Sequence, residues 1–94
     1  MEFPHIEVIK DYLKQEFPDS DIEDEEDFDF HARTFKVTDG DRIHILKVSF
    51  DFASDTDAAG MKKLLNDEDI ASHMRNPKYT SVMISNDGML VKLI

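Results

Sequence analysis

The eleven residues from Asp19 to Asp29 carry eight carboxylates: Asp19, Asp21, Glu23, Asp24, Glu25, Glu26, Asp27 and Asp29. Carboxylates at this density can coordinate a hard cation, exchange protons as a pair, or present a negative field to a cationic partner. Calcium is the first to test. Asp19, Asp21 and Glu23 alternate as in an EF-hand loop, but the sixth position, where the loop turns on glycine, is Asp24. The twelfth, which needs a bidentate glutamate, is Phe30. The EF-hand is excluded. Proton exchange needs two carboxyls whose surroundings split their pKa values. With 21 Asp and Glu in the chain, proximity of two acids selects nothing. The third use remains, since a block of like charge is a solvated, steering surface.

The four histidines offer a second route to chemistry. His31 and His44 are expected on opposite faces of one hairpin, with His31 opposite Lys47, and so cannot share a metal. His5 and His73 fall on separate helices with no ligand spacing. Cysteine is absent, which excludes a disulfide, a thiolate zinc site and a cysteine nucleophile. There is no nucleophile elbow, glycine-rich phosphate loop or HExxH motif. No cofactor and no catalytic or metal-binding residue is assigned, and an enzyme is the less favoured reading.

The net charge of −10 bears on partners. It opposes direct binding to nucleic acid and to anionic membrane. Arg33, Lys36, Arg42, His44 and Lys47 cluster along one segment, and Lys62, Lys63, Arg75 and Lys78 follow. These cations are read as neutralising the chain's own acids. The 94 residues are expected to form a single domain, 1–94, with an apolar content sufficient for one core. The N-terminal sequence lacks a basic region followed by an apolar one, and no apolar stretch approaches a membrane span. A cytoplasmic protein is expected.

The elements that position these residues follow from periodicity. A first helix is expected from about Pro4 to Glu16, with Ile6, Ile9, Leu13 and Phe17 on one face and Pro18 ending it. The acidic run then reads as a connection. A hairpin follows, with Thr38-Asp39-Gly40 as a three-residue loop. That loop pairs Val37 with Asp41, Phe35 with Ile43, Ala32 with Leu46, Phe30 with Val48 and Phe28 with Phe50. In this register Phe28, Phe30, Ala32, Leu46, Val48, Phe50 and Phe52 share one side. Phe35, Val37, Ile43 and Ile45 lie at the tip on the other.

A second helical region is expected from Asp57 to Arg75, capped by Thr56 or Asp57. It should break at Asn66-Asp67-Glu68-Asp69, because Ile70 falls opposite Met61 on a continuous helix. A second hairpin turns at Asp87-Gly88, pairing Ile84 with Val91 and placing Met83, Ser85, Leu90 and Lys92 on the other face. The fold class expected is α+β: helix–hairpin–helix–hairpin, a four-stranded and mainly antiparallel sheet with helices on one face.

The functional expectation is a non-enzymatic protein-interaction domain. Its acidic partner surface is Asp19, Asp21, Glu23, Asp24, Glu25, Glu26 and Asp27, facing a basic protein. Its apolar interface is Phe35, Val37, Ile43 and Ile45, which would serve a partner or a homodimer. Nucleic-acid mimicry and chaperone-like holding of a client are two forms of this activity. A small enzyme or ligand-binding domain, or a structural homo-oligomer module, are the alternatives.

Overall fold

A computed structural model describes residues 3–93. Its element order is α1 (Ile6–Glu16), β1 (Asp21–Asp27), β2 (Ala32–Asp39), β3 (Arg42–Ser49), α2 (Phe50–Asp55), α3 (Ala58–Asp67), α4 (Ile70–Arg75), β4 (Tyr79–Ser85) and β5 (Gly88–Leu93). The fold is α+β, but the sheet has five strands, in the order β1-β2-β3-β4-β5, and is mixed. Neighbours pair antiparallel except β3 and β4, which run parallel. A parallel neighbour needs a crossover, and α2, α3 and α4 supply it.

The additional strand is the acidic run. Six of the seven residues of β1 are acidic, a composition with low strand propensity, which is why it reads as a connection. Pairing with β2 overrides that propensity, from Asp21 opposite Thr38 to Asp27 opposite Ala32. The aromatic segment expected to be strand is instead the β1–β2 turn, Phe28 to His31. The Asp27 carboxylate closes it by accepting from the Phe30 N–H at 3.2 Å, and His31 adopts a left-handed φ of 49°.

The first hairpin is three residues out of the expected register. Its loop is Gly40-Asp41, with Asp39 opposite Arg42, Val37 opposite His44 and Phe35 opposite Leu46. Gly40 has φ 62° at the first central position, where a type II′ turn requires glycine. The expected loop placed the same glycine last. An odd shift in register changes which residues share a face. Phe35 and Val37 therefore join Leu46 and Val48 in the core, all at 0% exposure. β3 ends earlier than expected, at Ser49, whose hydroxyl accepts from the Phe52 N–H at 3.0 Å and caps α2. Phe50 and Phe52 are helical.

The remaining helices match the expectations closely. Asp57 caps α3 by accepting from the Gly60 N–H at 2.7 Å. The break falls where expected, with Asp69 at φ 49° between α3 and α4. In the second hairpin Val82 faces Val91 and Met83 faces Leu90. This is two residues from the expected pairing, so the face of each side chain is preserved.

One core lies on one side of the sheet. It joins Ile9, Leu13 and Phe17 of the α1 segment, Met61 and Leu65 of α3 and Ile70 and Met74 of α4 to Phe35, Val37, Leu46, Val48, Val82 and Ile84. Polar groups inside it are paired. The Tyr12 hydroxyl accepts from the Ala71 N–H at 3.0 Å, tying α1 to α4. Burial raises the Tyr12 pKa. His44 Nδ1 donates to the Met74 carbonyl at 2.8 Å, and its ring lies 5.2 Å from that of Phe17.

Candidate functional site

Among the described residues, no helix covers the opposite face of the sheet. Side chains alternate along each strand, so burying Phe35, Leu46, Val82 and Ile84 turns their neighbours outward. One row crosses all five strands at a single height: Glu25, Thr34, Lys47, Met83 and Leu90. A second begins Glu23, Lys36, Ile45. The outer face of an antiparallel sheet is commonly polar, and over β1 and β2 it is. Over β3, β4 and β5 it is mixed, Ile43, Ile45, Met83 and Leu90 lying among Lys47, Ser81, Ser85 and Lys92. Ile45 and Met83 are half-buried, while Ile43 and Leu90 are each 54% exposed.

Phe30 reaches onto this face from the β1–β2 turn, 58% exposed. Its ring meets the Lys47 ammonium at 4.4 Å from the centroid, a favourable cation–π distance. Phe30, Ile45, Met83 and Leu90, with Lys47 between them and Glu25 and Lys92 at the sides, form an open groove of about 550 Å³.

The electrostatics divide the acidic strand by face. Asp24 points to the helix side, where Lys10 and Arg33 grip it, Arg33 Nε donating at 2.8 Å. Burial alone would raise its pKa, but hydrogen bonds from Lys10 and Arg33 outweigh that and hold the carboxyl below its ordinary value. Asp27 accepts from Lys47 at 2.8 Å, and this bond lowers its pKa. These two acids hold β1 to the domain. Asp19, Asp21, Glu23, Glu25 and Glu26 make no ion pair among the described residues, and all are exposed. The acidic surface expected from sequence thus separates into two anchors and five solvent-facing carboxylates.

The expected apolar interface also divides. Phe35 and Val37 lie within the core, whereas Ile43 and Ile45 lie on the open face. The four do not share a surface, because the hairpin turns at Gly40-Asp41. Phe30, Lys47, Met83 and Leu90 were not assigned to a site from sequence. The alternation of the second hairpin did place Met83, Leu90 and Lys92 together, which was the available signal. Among the described residues no group of three or more His, Asp or Glu is arranged to hold a metal ion, and no helix is long and apolar enough to cross a membrane.

Comparison of the chain with protein-family models, with curated proteins and with solved structures gave no match.

Proposed function

We propose that this protein is an interaction domain whose open sheet face receives a basic, amphipathic helix from a partner protein. The observation that supports the reading is the row from Glu25 to Leu90, which runs from a solvent-facing carboxylate through Thr34 and Lys47 to half-buried Met83 and exposed Leu90. Five strands at a spacing of about 4.8 Å make that row roughly 19 Å long, the length of about 13 helical residues. A helix suits a sheet face because it satisfies its own backbone hydrogen bonds, so apolar contact leaves no polar group stranded. Its apolar stripe would cover Phe30, Ile45, Met83 and Leu90, and its cations would meet Glu23 and Glu25. The apolar contact supplies affinity and the acidic strand supplies steering and orientation.

The test is fluorescence anisotropy with a labelled 18-residue Lys/Leu amphipathic peptide. Saturable binding that weakens with salt, and weakens further with Phe30→Ser and with Glu23→Gln/Glu25→Gln, supports the reading. Binding that is unaffected by both variants would place the site elsewhere. No binding at any salt concentration would reject a basic helix as the partner.

A further inference from the structure

The two edges of the sheet are chemically opposite, and while Leu90 on the face of β5 belongs to the proposed groove, the backbone edge of β5 takes no part in it. β1 forms one edge and β5 the other. Each edge strand leaves backbone N–H and C=O groups free to pair with another chain. β1 is blocked against self-pairing, because six acidic residues in seven would be set against six more. β5, Gly-Met-Leu-Val-Lys-Leu, carries a single charge, Lys92. Three of its four apolar side chains are uncovered, Leu90 at 54% exposure, Val91 at 36% and Leu93 at 63%, while Met89 packs partly against the core.

We infer that β5 pairs antiparallel with β5 of a second copy of this chain, giving a two-fold symmetric dimer with one ten-stranded sheet. A second copy fits this edge on three counts. First, an antiparallel two-fold centred anywhere from Leu90 to Val91 sets Lys92 opposite Gly88, Met89 or Leu90 and never opposite its own copy. Such a pairing puts no like charges directly opposite and sets apolar side chains beside apolar ones.

Second, this is the edge pairing that a chain of net charge −10 tolerates. Across ten strands the two acidic β1 strands lie roughly 43 Å apart, several times the Debye length of about 8 Å at physiological salt. Pairing β1 with β5 of another copy would instead repeat head to tail into an open filament. Third, the dimer makes the open face continuous. Leu90 of both copies then lies beside the two-fold axis, with the two Lys92 side chains offset along the strands, and each copy completes the wall of the other's groove.

The absence of cysteine makes the test direct. Sedimentation velocity should show a species of about 22 kDa, twice the 10.9 kDa chain, that gives way to monomer on dilution. Leu90→Glu/Leu93→Glu, at two exposed positions, should remain folded by circular dichroism and sediment as monomer. Single cysteines at Met89, Leu90 and Val91 should yield a disulfide-linked dimer under mild oxidation, favouring the position nearest the axis. A cysteine at Glu23 should not. A strictly monomeric chain at 100 µM would overturn the proposal. So would a dimer that survives the double variant, or one that cross-links through Glu23→Cys instead of through β5. If the double variant does not fold, the cysteine series decides by itself, since its single changes are small and carry no charge.

Discussion

Replacing Asp24 by asparagine keeps the shape of the side chain and removes the charge that Lys10 and Arg33 share. The Asp24 side chain is 10% exposed and those of Lys10 and Arg33 are 25% and 24% exposed. The cluster therefore lies between a surface ion pair, worth about 0–1 kcal/mol, and a buried one, whose disruption costs about 3–5 kcal/mol. Two cations would lose their shared acceptor, while crowding with Glu23, Glu25 and Glu26 would be relieved. The net expectation for Asp24→Asn is a loss of about 1–2 kcal/mol, or roughly 5–15 °C in Tm for a domain of this size. Glu25→Gln, one residue along, removes an exposed carboxylate with no ion-pair partner among the described residues. Its expected effect is within about 0.5 kcal/mol of zero. Urea denaturation monitored by circular dichroism measures both. If the acidic run were a solvated connection, the two variants would behave alike. Equal stabilities would refute the placement of β1 as an anchored edge strand.

Acid titration tests the same anchors. Asp24 and Asp27 both lie below their ordinary values in the folded state. Their contribution is thus complete above the unfolded carboxylate pKa of about 3.9, and is lost as pH falls through the lower folded values. Asp24→Asn should flatten the fall in stability below about pH 4, measured as the urea midpoint against pH; an unchanged slope would contradict the pairing. Phe35→Ala should cost about 3–5 kcal/mol and Ile43→Ala less than about 0.5 kcal/mol, whereas a shared interface would make both tolerable to the monomer. Ser49→Ala should cost about 1 kcal/mol through the lost cap on α2, and an unaltered urea midpoint would contradict a helix starting at Phe50.

The parts of the fold legible in sequence are those set by local chemistry. Pro18 and the Ile6–Ile9–Leu13 spacing define α1, and Asp57 caps α3. The mismatch of Ile70 with Met61 locates the break before α4. The parts that were not legible depend on long-range pairing. β1 has the composition of a loop and becomes a strand because β2 pairs with it and because Lys10, Arg33 and Lys47 neutralise two of its acids from distant positions. The first hairpin contained two plausible loops sharing Gly40, and apolar residues of both parities on each strand let either register look consistent. Choosing between them requires knowing that Phe28 and Phe30 lie in a turn, which the unrecognised β1 strand determines. One missed strand therefore displaced the register, and with it half of the candidate interface. The open face was partly legible, because the second hairpin keeps its side-chain faces under a two-residue shift.

The measurement that tests the open-face reading most directly is a titration of the isotope-labelled chain with the Lys/Leu amphipathic peptide, followed by amide shift mapping. Saturable shifts are expected, centred on Glu23, Glu25, Thr34, Ile45, Lys47 and Met83, with the helices and the core residues Leu13 and Leu65 little moved. Shifts centred on α1, α3 or α4, or none that saturate, would contradict the open-face reading.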